Sequence, residues 1–165
     1  MNQFGRNKPR RIAVTSRSFS RHSKLRAALK SRFSASEITF NDEGRSLSGL
    51  ALILFLKGHD HAITALERLD ADVFDALPEL EVVSKFGVGI DMIDIAAMKA
   101  RNVRLGWRKG VNKRAVSELA IGCMIALLRH IPTANAQVQN GTWQQIKGRQ
   151  LSGKTVGIVG CGHVG

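Results

Sequence analysis

The sequence has 165 residues, 44% of them hydrophobic, and its 25 Lys and Arg against 13 Asp and Glu give a formal net charge of +12. This length allows one domain with a full core, or one domain plus part of a second. No apolar run approaches the ~18 residues of a membrane span, and no signal-peptide core follows the basic N-terminus. We therefore expect a soluble, cytoplasmic protein with no membrane partner. The two cysteines, Cys123 and Cys161, form no disulfide framework and suit a reducing compartment.

The positive charge is concentrated in two segments, residues 6–32 and 99–114, and neither contains an acidic residue. Such segments favour an anionic partner, and the second indicates a phosphorylated or multiply acidic small molecule. The alternative is a solvated surface. The seven Phe and two Trp are not interleaved with the basic residues, so the sequence does not predict nucleic-acid binding.

The first two thirds of the sequence predict a regular alternation of strands and helices after a disordered basic tail over residues 1–10. We expect strands at 11–16, 37–40, 61–65, 80–84 and 103–105. Helices are expected after a cap at Ser20 or Ser23, at 47–56 with an end at Lys57-Gly58, at 70–77 and at 93–100. This alternation predicts an α/β fold with a parallel sheet and helices on both faces. Ligand sites of such sheets lie at the carboxyl ends of the strands.

The last third begins with a longer helix, predicted over 115–130. Its apolar residues recur at i, i+3 and i+4, with Ile121 and Ile125 on a second flank, so we expect burial around much of its circumference. A more polar helix is predicted from Pro132 to Asn140-Gly141. A final apolar strand is predicted at 155–159.

That strand leads into a glycine-rich turn with the spacing of a dinucleotide-binding motif. Gly160 would permit the tight turn, Gly162 would let the backbone approach a pyrophosphate, and Gly165 would allow close packing. The acidic residue that completes the motif would lie ~20 residues further on, beyond Gly165. The alternative is a glycine-rich loop that binds nothing.

Two upstream segments could also bind anions. The backbone N–H groups of the loop Lys85–Asp91 could hold a carboxylate, or its glycines could serve only to allow positive φ. Asn112, at the start of the long helix, could donate an amide hydrogen bond or simply cap the helix. His59 and His61 have no companion ligands at metal-binding spacing, so we predict no metal site.

Together these segments resemble the D-isomer-specific 2-hydroxyacid dehydrogenases, particularly the D-3-phosphoglycerate dehydrogenase branch. The matching stretches are KFGVGIDMID at 85–94, Asn112-x-x-Ala-Val-x-Glu118, Asn140-Gly-x-Trp143 and LSGKTVGIVGCGHVG at 151–165. The resemblance runs from about residue 11 and covers the first half of such an enzyme. It implies a flavodoxin-like substrate domain over 11–110, interdomain helices over 111–150, and the first strand of a truncated Rossmann domain over 151–165.

The resemblance also implies roles for individual residues. Val88 and Gly89 would bind the substrate carboxylate through their backbone, Thr64 and Ala65 would form the first substrate loop, and Asn112 would lie on the substrate side. The cofactor-binding set would be Gly160, Gly162, His163, Val164 and Gly165. The implied cofactor is NAD, with NADP not distinguished from it, and the implied substrate is a small anionic 2-hydroxy or 2-oxo acid. The intact family enzyme would be a homodimer.

The family's catalytic Arg, Glu and His come from its second half, and no residue of this chain corresponds to them. The first hypothesis is therefore an NAD-dependent oxidoreductase acting on the CH–OH group of a D-2-hydroxy acid, seen as a fragment that is inactive alone. The second is a non-catalytic truncated product, or a binding or regulatory module of the same fold.

Overall fold

The computed structural model describes residues 9–165, so most of the predicted tail lies outside the described residues. The chain divides into two compact units, the first ending at Lys109 and the second covering Gly110–Gly165. The finer division of the second unit at residue 150 stays a prediction.

The first unit is a five-stranded, wholly parallel sheet with the strand order β2-β1-β3-β4-β5. This is the flavodoxin-like order, and the predicted fold class is confirmed. The strands are β1 (Arg11–Val14), β2 (Glu37–Phe40), β3 (His61–Thr64), β4 (Val82–Lys85) and β5 (Arg104–Gly106). The helices between them are α1 (Arg17–Arg21), α2 (Ser23–Arg32), α3 (Gly49–Leu56), α4 (Ala71–Asp75) and α5 (Ile95–Ala100).

Each face of the sheet has its own hydrophobic cluster, because successive side chains of a strand point to opposite faces. Ala13, Ala62 and Val83 are register partners on adjacent strands, and all three belong to the larger cluster. That cluster includes buried residues of α3, α4 and α5. Val14, the next residue of β1, instead packs with Phe19 and Phe40 in the second cluster, which α2 also covers.

The predicted cap of α2 at Ser20 or Ser23 is wrong, and α1 was not predicted. Ser16 caps α1, its Oγ accepting a hydrogen bond from the N–H of Phe19 at 3.3 Å. Ser20 is buried and its hydroxyl donates to the carbonyl of Val14 at 3.2 Å, while α2 begins at Ser23 itself without a side-chain cap. A single residue, His22, separates the two helices. The predicted end of α3 is confirmed, with Lys57 at its C-cap and Gly58 at φ +81°.

The second unit contains two helices, α6 (Lys113–Leu128) and α7 (Ile131–Gln139). The predicted burial of the long helix is wrong, because none of its residues is buried and Leu127 is 73% exposed. No single helix within residues 9–165 is long and apolar enough to cross a membrane; α6 and α7 meet that test only as a pair bent by 64°.

The strand predicted at 155–159 is also wrong. These residues have no regular secondary structure, and Ile158 and Val159 are exposed. A β-strand exists only when its backbone groups pair with a neighbour, and residues 110–165 contain no strand that could pair with it.

Candidate functional site

The glycine loop Lys85–Asp91 begins at the last residue of β4, at the carboxyl edge of the sheet. Gly87 has φ +143°, a conformation that residues with a Cβ rarely adopt. The N–H groups of Val88 and Gly89 donate to no other group within residues 9–165. The loop is held from its other side, because the Trp107 indole Nε1 donates to the Val88 carbonyl at 3.0 Å. Two adjacent amides are thus free to bind an anion.

Lys85 brings a positive charge to the start of this loop. Burial lowers the pKa of its ammonium group, and the carboxylates of Glu67 and Asp91 oppose that shift. Its only hydrogen bond within residues 9–165 is a weak one to the Met92 sulfur, with Nζ and Sδ 3.1 Å apart. The ammonium therefore lies among mixed charges and has no tight ion pair.

A cleft of 530 Å³ opens at the carboxyl ends of β1, β3 and β4. It lies where the strand order reverses, between β1 and β3, which is where open α/β sheets of this order bind ligands. The residues lining this cleft come from the loops after four strands: Ser16, Arg17, Ser18, Arg21, Ser46, Leu47, Ala65, Leu66, Glu67 and Phe86.

Of the two predicted substrate-loop residues, Ala65 lines the cleft and Thr64 is buried. Ala65 lines the cleft, and its N–H donates to Glu67 Oε2 at 2.6 Å. Thr64 is 1% exposed, and its carbonyl accepts a hydrogen bond from the N–H of Phe86 at 2.7 Å. That bond brings the ends of β3 and β4 together, so the first substrate loop and the glycine loop begin side by side.

Sequence reasoning missed the residues after β1 and β2. Asn41 is 2% exposed, and its Nδ2 donates to the carbonyls of Thr15 and Arg45 at 2.8 Å each. Its Oδ1 accepts from the N–H of Arg45 at 3.0 Å. Asn41 therefore ties the loop after β1 to the loop after β2. Only a general rule could have found these residues: in a flavodoxin-like sheet, the carboxyl end of the first strand borders the point where the strand order reverses, and ligands bind there.

In the second unit, Asn112 is the N-cap residue of α6 but makes no side-chain cap hydrogen bond, and it is exposed. The predicted side-chain cap is therefore not found, and α6 begins without it. The alternative, an amide that donates to a ligand, stays a prediction.

The glycine turn of the second unit has the backbone conformations that its spacing predicts at two positions. Gly160 has φ +88°, and a Cβ on Gly165 would meet the Gly160 carbonyl oxygen at 2.8 Å. A Cβ on Gly162 would meet nothing within 4 Å, so backbone there is open to a ligand. The carbonyl of Val164 accepts a hydrogen bond from the Ser117 hydroxyl at 3.0 Å. The glycines therefore fit a dinucleotide-binding turn, although the strand expected before them is absent.

His163 lies against the segment that precedes α6. Its ring packs on Gly110, where a Cβ would meet the His163 Cδ2 at 2.8 Å. Within residues 9–165 no group of three or more His, Cys, Asp or Glu side chains could hold a metal ion.

Residues 12–155 match the family model described as the D-isomer specific 2-hydroxyacid dehydrogenase, catalytic domain. The chain belongs to this family. The glycine loop, the cleft at the switch point and the dinucleotide-type turn therefore occur together in a member of a known family of oxidoreductases.

The chain is similar to several named dehydrogenases and reductases. The chain is 39% identical over 120 residues to a glyoxylate/hydroxypyruvate reductase A of Arabidopsis thaliana, covering 68% of this chain and 38% of that protein. It is 34% identical over 109 residues to a D-3-phosphoglycerate dehydrogenase of Haemophilus influenzae, covering 65% and 27%. The NAD⁺-bound 3-phosphoglycerate dehydrogenase structure of Entamoeba histolytica shares the fold, with a TM-score of 0.73 and 24% identity over 95% of this chain and 48% of that one. The chain thus spans half or less of these relatives.

Proposed function

We propose that this chain supplies the substrate-binding part of an NAD-dependent oxidoreductase acting on the CH–OH group of a D-2-hydroxy acid, phosphoglycerate dehydrogenase-like in type. The observation that carries the proposal is the pair of free amides at Val88 and Gly89, at the carboxyl end of β4 in a member of this family. Adjacent backbone N–H groups in a glycine loop form a concave site that suits a carboxylate.

In this proposal the chain's own residues bind and orient the substrate. The Val88 and Gly89 amides donate to the substrate carboxylate, and the ammonium of Lys85 adds positive charge at the start of the same loop. Ala65 lines the cleft, and the carbonyl of buried Thr64 joins the end of its strand to the start of the glycine loop through the Phe86 N–H.

Gly160, Gly162, His163, Val164 and Gly165 would hold the pyrophosphate of the dinucleotide, because their backbone is open and tightly turned. NAD would supply the hydride acceptor. The 3-phosphoglycerate dehydrogenase of Entamoeba histolytica, which shares the fold, was solved with NAD⁺ bound, and NADP is not distinguished from it here. We further propose a cytoplasmic location, a small anionic 2-hydroxy or 2-oxo acid as the substrate, and a homodimer for the intact enzyme.

The second candidate is a non-catalytic binding or regulatory module. It is favoured by one observation: no residue of the chain corresponds to the family's catalytic Arg, Glu and His. Under both candidates, the 165-residue chain alone binds a 2-hydroxy acid and does not oxidise it.

The test combines binding and turnover on the 165-residue chain. We expect calorimetry to detect binding of D-lactate but not of D-lactamide, because the neutral amide cannot replace the carboxylate at the two N–H groups. With NAD present, absorbance at the nicotinamide band should not rise. Equal binding of both ligands would contradict the carboxylate site, and clear turnover would show that this chain contains the catalytic groups itself.

A further inference from the structure

Two arginines of the cleft have no partner in the protein. Arg17 and Arg21 line the cleft beside Ser16 and Ser18, and neither makes a hydrogen bond or an ion pair within residues 9–165. The guanidinium of Arg21 lies over Gly44, which has φ +65° and no side chain to displace it. The site described above uses neither arginine.

Most other arginines of this unit contrast with them. Ion pairs with carboxylates occupy Arg10, Arg26, Arg45, Arg68 and Arg101. Arg17 and Arg21 therefore differ from these arginines in having no carboxylate partner within residues 9–165. The one carboxylate that lines the cleft, Glu67, accepts a hydrogen bond from the Ala65 amide and also faces Lys85.

We propose that Arg17 and Arg21 form a subsite for a second acidic group of the substrate, a phosphate or a distal carboxylate. This inference rests on the proposed function and specifies its substrate class as a 2-hydroxy acid with two acidic groups. Arginine suits the task because its planar guanidinium binds two oxygens of a phosphate or carboxylate at once. The hydroxyl of Ser18, which is exposed and lies 3.3 Å from the buried Ser16 Oγ, adds hydrogen-bonding capacity at the same wall.

Phe86 connects the arginines of the cleft to the glycine loop. Phe86 lines the cleft, and Val88 follows it by two residues, so their Cα atoms are at most about 7 Å apart, the reach of two extended residues. The ring of Phe86 also packs edge-on against Phe19 of α1, with centroids 5.2 Å apart. That contact links the glycine loop to the helix that carries Arg17 and Arg21.

The test compares three ligands on the 165-residue chain by calorimetry: D-glycerate, 3-phospho-D-glycerate and D-malate. We expect at least one of the two ligands with a second acidic group, 3-phospho-D-glycerate or D-malate, to bind about tenfold more tightly than D-glycerate, the gain of a charge-assisted hydrogen-bond pair. The double variant Arg17→Ala/Arg21→Ala should lose this preference and keep its affinity for D-glycerate. The variant Arg17→Lys/Arg21→Lys should keep part of the preference, because lysine retains the positive charge.

Arg32→Ala, which removes an exposed arginine of α2 away from the cleft, is the matched control. Its affinities for the three ligands should equal those of the wild type.

The outcomes separate the two proposals. Whether 3-phospho-D-glycerate or D-malate gains more affinity identifies the second group as phosphate or carboxylate. Binding of all three ligands with equal affinity, or a preference that survives in the double alanine variant, would overturn the subsite and leave the proposed function standing. If D-glycerate does not bind but 3-phospho-D-glycerate or D-malate binds through the two arginines, the carboxylate site at Val88 and Gly89 is contradicted instead. If no ligand binds, both proposals fall.

Discussion

Replacing Asn41 by Ala should lower the free energy of unfolding by about 3 kcal/mol, because the change removes three side-chain hydrogen bonds at a buried position. The carbonyls of Thr15 and Arg45 lose their amide donor, and the Arg45 N–H loses its acceptor. A buried polar group left without a partner costs more than the hydrogen bond itself contributed. Urea denaturation followed by circular dichroism measures the change.

Asn112→Ala is the matched control for this experiment. Asn112 is exposed and makes no side-chain cap hydrogen bond, so its replacement should leave the urea midpoint almost unchanged. An Asn41→Ala variant as stable as Asn112→Ala would show that the loops after β1 and β2 are held by other contacts.

Replacing Gly89 by Ala should weaken D-lactate binding about tenfold or more while leaving stability unchanged. A Cβ at this position would meet no atom closer than Asp91 Oδ2 at 3.5 Å, which is ordinary contact, so the loop can accept it. The new methyl group would stand beside the two N–H groups and keep an anion from reaching them. Loss of one charge-assisted hydrogen bond is sufficient for a change of this size. Calorimetry gives the affinity and thermal unfolding the stability.

Gly87→Ala separates the steric effect from backbone strain. At φ +143° an alanine is strained whatever space surrounds it, so this variant should lose both stability and affinity. If Gly89→Ala binds D-lactate as tightly as wild type, the carboxylate does not lie against the Gly89 amide.

The strands of the first unit were predictable because each is a short apolar run bounded by turn residues. Glu37–Phe40 matches its predicted bounds in full, and the other strands differ by one or two residues at their ends. The cap of α2 was predicted wrongly for a non-local reason. Ser20 and Ser23 look alike in the sequence, but the hydroxyl of Ser20 is buried and accepts a hydrogen bond from the Asn41 N–H, which comes from the loop after β2.

The site was predictable only where the signal is local. The glycine loop at Val88 and Gly89 follows directly from its motif, whereas the roles of Arg17, Arg21 and Asn41 depend on which strands are neighbours. That order places β1 between β2 and β3, and no single segment of the sequence predicts it. The strand predicted at 155–159 failed for the same reason, because a strand is a property of a pair of segments.

A titration of the ¹⁵N-labelled chain with D-lactate, followed by amide chemical shifts, tests directly whether the Val88 and Gly89 N–H groups bind the substrate carboxylate. We predict the largest shifts at the Val88 and Gly89 amides, whose N–H groups have no partner within residues 9–165, and no such shifts with D-lactamide. Val88 and Gly89 amides that stay unmoved while D-lactate binding saturates would contradict the account.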